Sequence, residues 1–183
     1  GEAFYKDKKY QEAVDEFTKV VGQKNTHDRA FNYRGLSFVG LKKDKKAVED
    51  FKKAIELKGK EAAYHFNLGE AYFRLADYKN AHSAYALAIK HDKKMMIAYE
   101  KDILSLIKTK DYQTAIEVAK VAILKEKSAK NYYYQAVAQD SLMDYTAAAN
   151  SFGRAIFYAS KMKEAHVGLA HANMKLEKFD KAL

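Results

Sequence analysis

Few side chains in this 183-residue sequence have the types and spacing that catalysis or metal binding requires. The chain contains no cysteine, which excludes thiol nucleophiles, thiolate zinc sites and disulfides. Segment 35–42 superficially resembles a phosphate-binding loop, but Leu41 stands before Lys42 and the segment falls within a predicted helix. His166 and His171 are five residues apart, so they do not share a helix face as a zinc-binding pair four apart would.

Two serine–lysine pairs are also present, Ser105 with Lys108 and Ser160 with Lys163. They have the spacing of a nucleophilic serine and its lysine in β-lactamase-type enzymes, but the companion motifs of those enzymes are missing. Short matches of this kind arise by chance in a chain with 29 lysines. We therefore predict that the protein is not an enzyme and has no catalytic residues, no metal site and no cofactor.

The composition is that of a folded, cationic protein with a formal net charge of +9. At 48% hydrophobic and 13% aromatic residues, the chain is too apolar for disorder and long enough to bury a core. Charged residues interrupt every apolar stretch well before bilayer-spanning length, so no membrane span is expected. The first residue is Gly1 rather than methionine, and we expect the chain to be part of a longer protein.

The elements that position these side chains are predicted to be α-helices throughout. The chain has no proline and only eight glycines, so helices can continue and tight strand turns are scarce. Apolar residues recur three and four positions apart, as in Ala81, Tyr85 and Ala88, which is the period of a helix with one buried face. Short polar segments such as 42–44 and 91–94 are expected to connect the helices.

A repeat of about 34 residues organises the whole chain. Gly35 and Gly69 are 34 residues apart, and the same position is held in the other copies by Gly1, Ile103, Ala136 and Ala170. An alanine follows each of these positions by twelve residues: Ala13, Ala47, Ala81, Ala115, Ala148 and Ala182. Four residues further on, the column reads Phe17, Phe51, Tyr85, Ala119 and Phe152. An aromatic residue precedes the alanine by three positions at Tyr10, Tyr78, Tyr112, Tyr145 and Phe179, with Asp44 as the exception.

This spacing predicts two antiparallel helices in each copy. Small residues where the two helices cross let their backbones approach closely, and the large aromatic residue fills the adjoining space. Asp77, Asp111 and Asp144 each stand just before the column aromatic, where the N-cap of the second helix is expected. One helix pair cannot bury its apolar face alone, so neighbouring copies must stack.

The period and the small–small–aromatic–small columns resemble those of tetratricopeptide repeats (TPR) over the whole chain. The resemblance implies an all-α fold, a right-handed α-α superhelix (solenoid) of about six TPR-like helix-turn-helix repeats. The predicted copies are a partial repeat at 1–27, full repeats at 28–61, 62–95, 96–128 and 129–162, and a truncated repeat at 163–183 that ends early in its second helix.

Two features depart from the family pattern. The family usually has a proline after the second helix, so these helices are expected to run on or to end less sharply here. The residues at that position are Gly59, Lys93, Lys127 and Ser160. In the copy at 96–128, Ile103 replaces the small residue and Ala119 replaces the large aromatic, which we interpret as a volume-conserving exchange.

The resemblance also implies a binding surface, because the first helices of such arrays line a concave face. The residues placed on that face are Arg29, Asn32, Leu36, Val39, Phe66, Asn67, Glu70, Phe73, Arg74, Ile97, Lys101, Leu104, Ile107, Lys108, Tyr133, Tyr134 and Val137. Apolar members such as Phe73, Leu104 and Ile107 are outside the columns that seal neighbouring copies, so they would face solvent unless a partner covers them. Two alternatives remain: the assignment is shifted by one residue and these side chains pack between helices, or a segment of the protein's own chain fills the groove.

The sequence therefore predicts a scaffold that binds a peptide or amphipathic helix of a partner protein in this groove, within a larger assembly. Some family members clamp an acidic chaperone tail through its terminal carboxylate, using five Lys, Asn and Arg side chains. Here only Asn67 and Lys101 match that pattern, so we expect no chaperone-tail binding. The positions that would need Lys, Asn and Lys hold Asn32, Leu36 and Ile97. Apolar ends of the array would also offer a route to self-association.

The positive charge comes mainly from lysine, which outnumbers arginine 29 to 4. The densest patch consists of Lys42, Lys43, Lys45, Lys46, Lys52 and Lys53. We favour a solvated outer face, since Glu49, Asp50 and Glu56 are interspersed. The alternative is a basic scaffold that docks nucleic acid or an anionic membrane surface through this face. Sequence-specific binding of nucleic acid usually relies on arginine and a recognisable reader module, so nucleic acid is not the expected partner.

Overall fold

The computed structural model describes residues 1–23 and 26–180, with side chains as far as Glu177. Over that range every regular element is an α-helix, which confirms the all-α prediction. The chain divides into two compact units, Gly1–Met95 and Met96–Leu183, which are described separately.

In the first unit, residues 1–23 and 26–95 form six helices. They are α1 (Glu2–Lys6), α2 (Tyr10–Gln23), α3 (Asp28–Gly40), α4 (Asp44–Leu57), α5 (Ala62–Arg74) and α6 (Tyr78–His91). Each helix packs against the next one along the chain, and α3 also contacts both α1 and α5. The result is a stack of antiparallel helix pairs in which the first helices of neighbouring copies touch one another.

The second unit is built in the same way from five helices. They are α7 (Met96–Lys108), α8 (Tyr112–Lys125), α9 (Ala129–Ser141), α10 (Tyr145–Tyr158) and α11 (Lys163–Asp180). Sequential neighbours pack together, and α9 contacts the other two first helices, α7 and α11.

The small residues of the repeat lie where the two helices of a pair cross. At Gly35 an added Cβ would stand 2.7 Å from the ring of Phe51, and at Gly69 it would stand 2.6 Å from the ring of Tyr85. Both rings are fully buried. No side chain fits between the backbone of the first helix and the ring of the second, which explains why the sequence places glycine there.

The copy at 96–128 uses the same space with its two residues exchanged in size. Ile103 on α7 and Ala119 on α8 are both completely buried. The large buried side chain in this copy comes from the first helix and the small one from the second, and the volume-conserving exchange stays a prediction.

The turn inside each helix pair has one recurrent conformation. A residue with positive φ follows α1, α3, α5, α7 and α9, at Lys8, Lys42, Ala76, Lys110 and Met143. At Ala76 the amide bonds to the carbonyl of Phe73 and the next amide bonds to that of Tyr72, which is the Schellman pattern of helix termination.

The three predicted N-caps are confirmed. Asp77, Asp111 and Asp144 each accept a hydrogen bond from the backbone amide three residues later. Helix α4 is different, because Lys43 occupies its N-cap position and makes no side-chain cap bond.

The second helices do not run on where the family proline is missing. They end at Leu57, His91, Lys125 and Tyr158, two residues before the positions in question. Each is followed by a residue with φ between −134° and −147°, which takes the chain out of helical geometry. Within each unit the next first helix packs back against the second helix just completed, as α5 does on α4, α9 on α8 and α11 on α10, so the chain has to turn there.

The last predicted repeat also differs from expectation. Helix α11 continues without a break to Asp180, so the turn expected before a second helix near Phe179 is absent. The equivalent of the capping aspartates is Lys178, which offers no acceptor to start a new helix. The side chain of Phe179 and the column residue Ala182 lie outside the described part of the chain.

Candidate functional site

A pair of asparagines links the first helices of the first unit. Asn67 Nδ2 on α5 donates to Asn32 Oδ1 on α3 at 2.8 Å, and Asn32 is buried. Both residues belong to the predicted groove, and each amide satisfies a polar group of the other at the helix contact. The bond holds α3 and α5 in one register.

A cavity of about 300 Å³ lies beside this asparagine pair. Its walls are Arg29, Asn32, Tyr33, Leu36, Lys58, Glu61 and Tyr64. Three of these were predicted as groove residues, and the other four were not. The size suits one amino-acid side chain, and the walls combine an apolar floor with groups of both charges.

The charged wall of this cavity is held by polar contacts around it. Tyr64 Oη donates to Asp28 Oδ2 at 2.7 Å, and this bond holds the pKa of the Asp28 carboxyl below its usual value. Burial, followed by the same carboxylate, raises the pKa of Tyr64. Lys58 pairs with Glu61 at 2.8 Å, and Arg29 pairs with Glu2 at 3.0 Å.

Helix α5 places two aromatic rings along its predicted groove face. Phe66 lies 5.7 Å from the ring of Tyr85, and Phe73 lies 5.1 Å from that of Tyr78 in an edge-on arrangement. Both phenylalanines remain half-buried. Glu70, between them on the same face, accepts a hydrogen bond from Tyr85 Oη.

The apolar groove residues of α3 are partly used by the core. Leu36 and Val39 pack against the buried cluster that includes Phe51 and Leu68, and most of their surface is buried. They therefore form the floor of a groove rather than projecting from it.

In the second unit, α7 carries the predicted face from Ile97 to Lys108. Ile97 is 45% exposed, whereas Lys101, Leu104 and Ile107 are half-buried and Lys108 is exposed. The four positions from Ile97 to Ile107 are three or four residues apart, so they lie on one side of the helix.

Helix α9 continues with a pair of tyrosines. The rings of Tyr133 and Tyr134 are 5.5 Å apart, and burial raises the pKa of both hydroxyls. Tyr133 and Val137 pack against the cluster around Phe152 while staying half-exposed. Beside them Lys130 Nζ on α9 pairs with Glu100 Oε1 on α7 at 3.0 Å.

The four cavity residues missing from the sequence-based set fall into two groups. Lys58 and Glu61 lie on the connector between α4 and α5, and Tyr33 and Tyr64 lie one or two positions away from the predicted face. Helical spacing alone gives no signal for a connector that folds over a neighbouring helix. Only the tertiary packing shows it.

No group of three or more His, Asp or Glu side chains suited to a metal ion occurs among the residues that the structure describes. Within the same part of the chain, none of the helices has both the length and the hydropathy that crossing a bilayer would need.

Family models and solved structures agree on what these helix pairs are. A TPR repeat model matches residues 35–75, and a tetratricopeptide repeat model matches residues 62–101. The crystal structure of YrrB, described as a TPR protein with an unusual peptide-binding site, superposes with a TM-score of 0.82 at 16% identity, over 94% of this chain and 88% of that one. Residues 35–101 therefore match tetratricopeptide repeats, and the all-helical fold of the chain is that of a TPR solenoid.

Two other TPR relatives are informative. The first TPR of Spaghetti (RPAP3), solved with the HSP90 peptide SRMEEVD, has a TM-score of 0.61 at 18% identity, over 64% of this chain and 94% of that one. Hsp70-Hsp90 organizing protein 3 of Arabidopsis thaliana is 28% identical over 94 residues, 51% of this chain and 17% of that protein. The chain thus spans less than a fifth of the length of this relative.

Proposed function

We propose that this TPR protein is a scaffold that binds a segment of a partner protein on the first-helix faces of its two units. One observation carries the proposal: these faces combine half-exposed apolar side chains with fixed polar groups. Phe73, Leu104 and Ile107 keep apolar surface in contact with solvent, and the Asn32–Asn67 pair supplies oriented amides next to a side-chain-sized cavity. Such a mixture binds peptides through apolar anchors whose register the polar groups set.

The relatives support this type of function. YrrB is described as having a peptide-binding site, and the RPAP3 repeat was solved with a bound peptide. Proteins with this fold therefore bind peptides. In this chain the apolar side chains on the first helices are the peptide-binding contacts that we propose.

We further propose that the bound segment is not an acidic chaperone tail. A terminal carboxylate needs several charge-assisted hydrogen bonds from cationic and amide donors. Leu36 and Ile97 stand at two of the donor positions and have none to offer. At a third position Asn32 is buried, and its amide oxygen already accepts from Asn67.

A paired affinity capture tests the groove. One bait is the wild-type chain, and the other carries Phe73→Ala, Leu104→Ala and Ile107→Ala. A control bait carries three equivalent truncations on the second helices, Leu87→Ala, Val121→Ala and Leu124→Ala, at residues 41–87% exposed. Circular dichroism melts first establish that all three baits fold.

We expect a protein partner that stays bound to the wild type and the control in about 0.5 M salt but is lost from the groove variant, because apolar contacts resist screening. Equal retention by all three folded baits would contradict the groove proposal. The chaperone-tail proposal is tested separately by calorimetry with a peptide ending in EEVD and with the same peptide amidated at its C-terminus, where micromolar binding that depends on the free terminal carboxylate would refute it.

A further inference from the structure

The turn between α3 and α4 carries a concentration of positive charge that the other turns of the repeat lack. Its sequence from residue 42 to residue 46 is Lys-Lys-Asp-Lys-Lys, and we call this segment the lysine turn. The corresponding segments at 76–80, 110–114 and 143–147 contain at most one lysine each, and the segment at 8–12 contains two lysines and one glutamate.

The lysine turn gives up two stabilising features that the repeat pattern provides elsewhere. Lys43 occupies the position of the capping aspartates and caps nothing. Asp44 occupies the aromatic column, where Tyr10 in the preceding copy packs its ring against Gly40. A segment that departs twice from its own repeat at a cost in stability is a candidate for function.

The only acidic group of the lysine turn is already engaged. Asp44 Oδ1 accepts from Arg74 Nε at 2.6 Å, an ion pair in the place where the preceding copy has a ring against glycine. None of the four lysines forms an ion pair with any residue that the structure describes, and all four are exposed. The turn therefore presents a net positive charge without ion-pair partners for its lysines in the described part of the chain, and Lys46 Nζ lies over the ring of Phe38 at 5.7 Å.

An open cavity lies among these charged side chains. The lysine turn and Leu75 enclose about 300 Å³, and Leu75, the last residue before the next turn, is 37% exposed there. Among the described residues that line the cavity, Leu75 is the only apolar one, so the cavity combines one hydrophobic contact with four lysines and the paired Asp44.

We propose that the lysine turn and Leu75 dock an acidic segment of a partner protein in which carboxylates flank one apolar residue. Carboxylates complement the unpaired lysines, and the apolar side chain enters the cavity over Leu75. The site spans a single turn rather than a track along several helices, and the leucine at its centre gives no platform for base stacking, so a protein segment fits better than nucleic acid. This surface lies in the first unit at the helix turns, and the proposal does not rest on the groove.

The charge component is tested by fluorescence anisotropy with a labelled peptide, Glu-Asp-Glu-Leu-Glu-Asp-Glu, in about 50 mM and about 300 mM salt. The variant Lys43→Gln/Lys45→Gln/Lys46→Gln removes three charges from the site. A matched control, Lys60→Gln/Lys90→Gln/Lys94→Gln, removes three exposed charges at the opposite ends of the helices. We expect roughly tenfold weaker binding for the first variant at low salt and less than twofold for the control. Equal losses in the two variants would overturn the proposal.

The apolar component is tested with Leu75→Gln and with a second peptide that has glutamine in place of leucine. We expect the wild type to prefer the leucine peptide several-fold and Leu75→Gln to bind both peptides equally. If both proteins bind the two peptides equally, the cavity plays no part and the proposed ligand is wrong.

A third variant separates binding from folding. Lys43→Asp restores the N-cap found in three other copies, so it should raise the melting temperature by a few degrees. The same change replaces a positive by a negative charge in the site, so it should weaken binding of the leucine peptide several-fold. A role confined to structure would not move the two readouts in opposite directions. Binding of a (dT)20 oligonucleotide and of phosphatidylserine vesicles is measured in the same assay. If either binds more tightly than the leucine peptide, and the triple lysine variant loses that binding, the site recognises phosphate groups and a protein ligand is refuted.

Discussion

Replacing Ala119 by phenylalanine, alone and together with Ile103→Ala, tests whether these two residues share one packing space. Both are completely buried, on helices α7 and α8, which pack together as a pair. In the next copy the same two columns hold Ala136 and Phe152, so the double variant recreates a pair that the chain already uses.

The expected change in the free energy of unfolding follows from the complete burial of Ile103 and Ala119. Ile103→Ala alone leaves a cavity at a site with no exposed surface and should cost about 3 kcal/mol. Ala119→Phe alone inserts a ring into space that the isoleucine occupies. In the first unit an added Cβ would already lie 2.6–2.7 Å from the ring, so this overpacking should cost roughly 1–3 kcal/mol.

If the two sites were independent, the double variant would lose about 5 kcal/mol, close to the whole stability of a small domain. We expect instead that it recovers to within about 1–2 kcal/mol of the wild type, a coupling energy of about 3 kcal/mol. Urea unfolding followed by circular dichroism measures all four proteins, with m-values compared to detect any loss of cooperativity. Additive losses, or an Ala119→Phe variant as stable as the wild type, would refute the exchange.

Three further predictions concern single positions. Ala76→Gly should raise stability by about 0.5–1 kcal/mol, because a residue with φ of 59° is strained unless it is glycine; an unchanged urea midpoint would contradict this. Asp50→Ala should cost about 3 kcal/mol, because it strips both carboxylate oxygens from the largely buried Arg34 guanidinium, which they bind at 2.7 and 2.8 Å; a loss below about 1 kcal/mol would count against it. The pKa of His91 is lowered by desolvation and by the stacked His65 ring, so the unfolded chain binds the proton more readily and the melting temperature should fall as pH drops below about 6.5. His91→Gln should flatten that slope, whereas an identical slope in the variant would assign the effect to other groups.

Much of the fold follows from short-range patterns. The spacing of apolar residues sets the helices, and aspartate before the column aromatic marks the start of three second helices. Such features depend on residues three or four positions apart, whose geometry one helix determines by itself. The helix end at His91 falls at the start of the connector predicted at 91–94. The ends after residues 57, 125 and 158 could not be placed from the sequence, because no local proline marks them and the next helix packs back against each of these helices.

The candidate groove could be predicted only in outline. Helical spacing placed Leu36 and Phe73 on first-helix faces, but how much of each side chain the core covers depends on the neighbouring helix. The same holds for the wall that Lys58 and Glu61 add to the cavity beside Asn32.

By itself the sequence determined the helices, the repeat and the residues that fill the helix crossings, because the same pattern of small and aromatic residues recurs about every 34 residues. Only the tertiary structure decided which polar groups are paired. The Asn32–Asn67 bond and the Asp44–Arg74 ion pair join residues 30 or more positions apart. Such pairs form only when two packed helices have a particular register and side-chain rotamers, and no local pattern encodes that register.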